Sequence, residues 1–392
     1  MDRARKNVCL LTVAQAMAMT GQIMNVTTSA LAGYALASDK SLATLAVGLQ
    51  FSATMAAVVP ASMLMARIGR RWGFTIGALS QVLGALGAAA AILADDFWLF
   101  SLCGMLFGVA NGCSVYYRFA AADTADDAFR PKAISLVLGG GVAAALVGPE
   151  IARWSRDLML PHFYAGTYAL LATLGVVNCL VLTFLDIPKP PRARFTAGRT
   201  LVEIAAQPRF MVAVLSGMLA YGCMTLLMTA TPLAMQACGH SFDDSAFVIQ
   251  WHALGMFAPA FVTGHLIRRF GLATIMRTGA LVLLVGVAID LAGQGVTYFW
   301  IGLILLGVGW NFLFVGATTL LTDTYRPEEK AKVQALNDLC VFSTTALAAF
   351  SAGALEFHFG WNMVNYGITP LILLALVGSL WLRGTARRPA AA

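Results

Sequence analysis

The chain has 392 residues, of which 59% are apolar and only 11% charged, with a formal net charge of +7. Runs of about 20 apolar residues recur along its whole length, which excludes a water-soluble globular protein and predicts an all-α polytopic membrane protein whose first partner is the lipid bilayer. The Lys and Arg residues cluster in alternate loops rather than on one surface, so the positive balance describes topology, and no nucleic-acid partner is implied.

The first apolar run begins at Val8, behind Arg3, Arg5 and Lys6, and continues to about residue 35 without a cleavage site. It reads as a retained first helix and not as a signal peptide. Hydropathy then places twelve transmembrane helices, at about 8–36, 41–66, 72–92, 97–118, 132–152 and 164–186, and at about 208–236, 244–266, 272–292, 297–322, 332–355 and 362–383. Residues 188–207, with Lys189, Arg192, Arg194, Arg199 and several prolines, read as a cytoplasmic linker between two six-helix halves, 1–187 and 208–392. An amino terminus in the cytoplasm puts Arg67, Arg70, Arg71, Arg130, Lys132, Arg268, Arg269, Arg326, Lys330 and Arg383 on that side. It leaves only Lys40, Arg153 and Arg156 outside, so the positive-inside rule makes both termini cytoplasmic.

The halves echo each other. Arg70-Arg71-Trp72-Gly73 after the second span pairs with Arg268-Arg269-Phe270-Gly271 after the eighth, and Arg130-Pro131 with Arg326-Pro327. Gly108-Val-Ala-Asn111 pairs likewise with Gly307-Val-Gly-Trp-Asn311, at nearly constant spacing, which predicts a duplicated six-helix unit. The seven cysteines, Cys9, Cys103, Cys113, Cys179, Cys223, Cys238 and Cys340, include no C-x-x-C pair and read mostly as packing residues. No nucleotide-binding G-x-x-x-x-G-K-[ST] or other soluble-enzyme motif occurs, so the chain is expected not to be an enzyme and to carry no cofactor.

The predicted seventh and eighth spans hold the residues most suggestive of chemistry. Met224-x-x-x-Met228 and His252-x-x-x-Met256 each put two donors on one helix face, about 6 Å apart along the axis. Thioether and imidazole suit a soft ion, above all Cu(I). From the outer turn Met228 and His252 lie about 12 Å deep, and Met224 and Met256 about 18 Å deep, a two-rung ladder if the pairs face each other. The competing reading of the methionines is gap-filling in an apolar core, and of His252 a hydrogen-bonded or proton-relaying residue. Polar residues of the first span, with Gln22 and Asn25 among them, are expected to line a cavity. Gln250, Asn111, Asn311 and Trp310 are read as cavity lining or as interhelical hydrogen-bonding groups. Glu150, Asp186, Asp290, Asp323 and Asp338 all fall near predicted span ends, so no mid-membrane carboxylate relay is expected.

Over essentially its whole length the chain resembles the major facilitator superfamily. Arg67-Ile-Gly69-Arg70-Arg71 is similar to the second half of that superfamily's signature between the second and third helices, with Ala66 where an Asp is usual and Ser62 where a Gly is usual. The resemblance implies a central cavity between the halves and a rocker-switch exchange of inward and outward states. Within the superfamily, Met224, Met228, His252 and Met256 are similar to the motif pair of CcoA-type copper importers. That resemblance implies a secondary-active, monomeric importer of copper in a bacterial inner membrane, supplying cytochrome oxidase assembly, with copper chaperones as candidate partners. The alternative is an organic-solute transporter of the same fold, taking up a metallophore or exporting a drug. A non-transporting membrane sensor is a third class.

Overall fold

A computed structural model describes residues 3–126, 129–187 and 198–385. Its helices are α1 (Arg3–Leu36), α2 (Leu45–Ile68), α3 (Arg70–Leu93), α4 (Phe97–Ser114), α5 (Tyr117–Thr124), α6 (Arg130–Ser155) and α7 (Ala165–Thr183). They continue with α8 (Leu201–Ala205), α9 (Pro208–Ala237), α10 (Phe242–Phe257), α11 (Ala260–Phe270), α12 (Leu272–Ala292), α13 (Val296–Thr322) and α14 (Lys330–Thr385). Ten helices are long and apolar enough to cross a membrane alone, and α10 with α11 makes an eleventh span bent by 43°. The 56 residues of α14 would reach about 84 Å if straight, far more than one bilayer core. Its backbone leaves the helical region at Gly360 (φ 74°, ψ 172°). Gly217 near the start of α9 packs on Val341, and Val212 on Gly378, so the two arms of α14 fold back to the same end of α9. α14 is therefore two spans, and the described residues make twelve.

Local chemistry starts and stops these helices. Asp96 accepts from the Leu99 N–H at 2.9 Å to open α4, and Ser241 with Asp244 forms a reciprocal capping box that opens α10. Lys40 donates to the carbonyls of Tyr34 and Ala37 at 2.6 and 2.8 Å, satisfying the exposed end of α1. Pro259 supplies no N–H, and there the eighth span breaks. Asn311 repairs the break by donating to the Met256 carbonyl at 2.7 Å while accepting from the Thr263 hydroxyl at 2.6 Å.

Three expectations shift. The fourth span is followed by a further helix, α5, on which Asp123 pairs with the buried Arg70. Residues 188–197 of the expected linker lie outside the described residues. The rest of that linker is ordered: Thr200 and Glu203 form a capping box on α8, and Arg199 clasps Glu329. Asp290 lies near the end of α12, as expected, and is only 1% exposed there. The repeat is also offset from its sequence alignment. The glycines with the same backbone role are Gly69 (φ 95°) and Gly271 (φ 86°), which end α2 and α11 in the left-handed region. Gly73, which the sequence pairs with Gly271, lies a turn further on inside α3, because an Arg-Arg-aromatic-Gly string looks alike when slid by one turn.

The start of α1 and the end of the first half lie on one face, where Asn7 exchanges hydrogen bonds with the backbone of Asp186 at 2.7 and 3.1 Å. On the opposite face the two halves meet. Val47 and Phe51 of α2 pack on Ala346, Ala349 and Phe350 of α14, and Thr44 accepts from the Gly353 N–H at 3.0 Å. Beside them α6 meets α10: Gln250 donates to the Leu146 carbonyl at 2.8 Å, and Arg153 reaches Asp243 at 3.4 Å.

Candidate functional site

The three methionines share one apolar cluster, and His252 is held from α13. Met224 and Met228 are buried in the apolar cluster of the second half, and Met256 packs against the same cluster. His252 turns instead toward α13, where its Nδ1 lies 2.9 Å from the Leu303 carbonyl. A carbonyl only accepts, so Nδ1 carries the proton and the lone pair sits on Nε2. That nitrogen is buried and makes no hydrogen bond, to a sulfur or to any other group. Close helix contact fixes the ring's height: a Cβ on Gly307 would lie 2.5 Å from the His252 carbonyl oxygen, so only glycine allows α10 and α13 to approach this far.

A second arrangement is built from amides. Gln22 and Asn25 of α1, Gln50 of α2, Gln81 of α3, and Asn111 and Ser114 of α4 line a narrow crevice of about 20 Å³ in the first half, which admits one water-sized polar group. Tyr168 donates to Asn25 Oδ1 at 3.0 Å, and Asn25 Nδ2 donates to Gln50 Oε1 at 2.8 Å. This buried chain fixes the rotamers of Asn25 and Gln50 and turns the Gln50 NH₂ away from Asn25. Asn111 is tied more loosely, to Thr54 at 3.5 Å. Every lining residue is uncharged, so the crevice suits a neutral polar group rather than an ion.

The second half contributes aromatic surface. Trp310 and Phe314 of α13 stack at 5.2 Å with their planes 10° apart, and Tyr221 of α9 meets both edge-on at 5.1 and 4.7 Å. Tyr221 and Phe314 remain partly exposed, and the Trp310 indole N–H is buried without a partner.

Sequence reasoning found Gln22, Asn25 and Asn111 as cavity residues and missed Gln50 and Gln81. An amide deep in an otherwise apolar span was the available signal, because such a group is costly in a bilayer unless it faces a partner or a cavity. Asn311 and Gln250 take the interhelical role, bonding backbone carbonyls of Met256 and Leu146.

Comparison with known proteins agrees with this architecture. The Major Facilitator Superfamily model matches residues 10–289 and 213–392. The riboflavin transporter RfnT of Brucella anthropi is 41% identical over 377 residues, covering 95% of each chain. The uncharacterized MFS-type transporter YddS of Bacillus subtilis is 25% identical over 397 residues, covering 96% of this chain and 91% of that one. Among solved structures, a bacterial homolog of the human lysosomal transporter Spinster, in an inward-facing and occupied conformation, superposes with a TM-score of 0.75 at 16% identity, covering 100% of both chains. Twelve spans in a multi-pass membrane protein, the full-length family match and transporter relatives place the protein among transporters rather than enzymes: the chain belongs to the major facilitator superfamily.

Proposed function

We propose that the protein is a secondary transporter of a neutral, flavin-like heteroaromatic solute. The observation that carries this reading is the 41% identity to a riboflavin transporter across 95% of both chains. The residues support it: a narrow uncharged amide crevice matches one carbonyl oxygen at a ring edge, and a stacked Trp310–Phe314 pair suits a planar ring. The positive-inside rule orients both termini to the cytoplasm of a bacterial inner membrane. With the halves joined on the opposite face, that face is shut in the conformation described. Uptake of radiolabelled riboflavin by a bacterial strain unable to make or import it, with and without this chain, tests the reading. Label accumulating only with the chain supports it, and equal label in both strains at verified membrane abundance refutes it.

Copper import is the second reading. One observation favours it, the buried lone pair on His252 Nε2 in a half whose apolar cluster gathers Met224, Met228 and Met256. Copper accumulation that is lost in His252→Ala and Met256→Ala but kept in Met17→Ala would establish it. No accumulation in the parent would remove it.

A further inference from the structure

Gln81 is the crevice residue with the most unusual placement. It stands mid-way along α3, eleven residues after Arg70 and twelve before Leu93 (81 − 70 and 93 − 81). Its side chain crosses to α1, where a Cβ on Gly21 would lie 2.5 Å from its Nε2. Any side chain at position 21 would push that amide aside. Gln81 is 6% exposed, it lines the crevice, and its Nε2 has no hydrogen-bond partner in the protein. A bare amide N–H at membrane depth is destabilising, and burying it beside a polar crevice is productive only if something there accepts its hydrogen bond.

The neighbours define the acceptor. Asn25 Oδ1 is already taken by Tyr168, and the Asn25 amide holds the oxygen of Gln50. With the Gln50 oxygen held by Asn25 and the Asn25 oxygen by Tyr168, the side-chain N–H groups of Gln81 and Gln50 are left as donors to the crevice. No Lys or Arg lines the crevice, so the acceptor is a neutral oxygen and not a carboxylate or phosphate.

We propose that this crevice reads the carbonyl edge of the heterocycle, with Gln81 Nε2 donating to a ring carbonyl oxygen and Gly21 holding open the space for that amide. The proposal rests on the organic-solute reading above and assigns the part of the solute that the first half recognises. Gln81 is thus a binding residue reached from α3, a helix that otherwise packs on α4 and α7.

The test is flavin fluorescence quenching by the purified full-length protein in detergent, for the parent, Gln81→Leu and Gly21→Ala. Two probes are used: riboflavin, and lumichrome, which keeps the ring carbonyls and lacks the sugar-alcohol chain. Loss of one hydrogen bond to a ring carbonyl weakens both probes by the same factor, about tenfold, in Gln81→Leu. Gly21→Ala, which displaces the amide without removing it, gives a loss in the same direction for both probes. Without flavin, Gln81→Leu melts at a higher temperature than the parent, because it removes an unsatisfied buried donor. Parent protein that quenches neither probe sinks the transport reading itself. Parent binding that both variants retain overturns the role of Gln81, and a loss confined to riboflavin overturns the assignment to the ring. If Gln81→Leu fails to yield monodisperse protein, Gly21→Ala decides by the same criteria.

Discussion

Gly48 stands where α2 crosses α14 on the face away from the start of α1. A Cβ built there would lie 2.1 Å from Phe350 Cδ1 and 2.4 Å from Cε1. Carbon atoms pack at about 3.5–4.0 Å, so Gly48→Val must separate the helices by roughly 1.5 Å or drive the Phe350 ring from its place beside Val47, Phe51, Ala346 and Ala349. Overpacking of this kind costs about 1–3 kcal/mol. The contact joins the two halves and exists only while this face is shut, so the whole penalty falls on one conformation. It shifts the exchange roughly 5- to 150-fold toward the state open on that face. Spin labels on Leu158→Cys and Phe357→Cys, both exposed near that face, report the opening by double electron–electron resonance in a Cys9→Ser background. The parent should give a short distance, and Gly48→Val a longer one as the main population, with several-fold slower transport. An unchanged distance distribution in Gly48→Val would show that the ring swings aside at little cost and would refute the gate assigned to this seam.

Three further outcomes follow from the geometry. Asn311→Ala removes two buried hydrogen bonds at the break of the eighth span, worth about 0.6–1.5 kcal/mol each in a membrane protein, and should lower unfolding stability by about 1–3 kcal/mol; titration with a denaturing detergent checks this, and a loss below about 0.5 kcal/mol counts against the repair role. The Arg199 guanidinium and the Arg326 N–H hold the Glu329 carboxyl far below the usual carboxylate range. A depressed folded-state pKa leaves the clasp complete above the ordinary value of about 4.3, and weakens it only as pH falls toward the folded value. Hydrogen-exchange protection factors across residues 198–207, which remove the base-catalysed rise of the intrinsic rate, should therefore be flat between about pH 5 and 8, and lower throughout in Glu329→Gln; a change in protection near neutral pH in the parent would contradict the assignment. Arg153→Ala breaks the ion pair with Asp243 across the halves, yet those side chains are 34% and 60% exposed. Such a pair is worth about 0–1 kcal/mol, so transport should stay within about fivefold of the parent; a complete loss would give the pair a role beyond its Coulomb energy.

The spans were legible because a bilayer demands long apolar runs, a constraint that each stretch of chain must satisfy by itself. Where a single residue sets the geometry, the reading slipped. Pro259 divides the eighth span and Gly360 joins the last two, and hydropathy registers neither event. The candidate site shows the same division. Met224 with Met228, and His252 with Met256, are visible at once because each pair repeats within one helix. The amide crevice takes Asn25, Gln50, Gln81 and Asn111 from four helices, and no spacing along the chain connects them. Their association depends on glycine-permitted helix contacts, such as that of Gly104 in α4, whose Cβ would lie 2.2 Å from the Ala46 carbonyl oxygen of α2.

That distribution bears on how transport would work. The donors of the crevice are fixed within the first half by the Tyr168–Asn25–Gln50 chain, and the aromatic surface within the second by mutual contact of Tyr221, Trp310 and Phe314. Neither set needs to rearrange when the halves rotate. A neutral planar solute held by its polar edge on one half and by its face on the other would then bind best when the two surfaces lie close, and would favour the conformations between the open states. Binding energy used in this way lowers the barrier to exchange without requiring any charged residue in the path. A charge-free route is consistent with a crevice whose recognition rests on amides from Gln22 to Asn111.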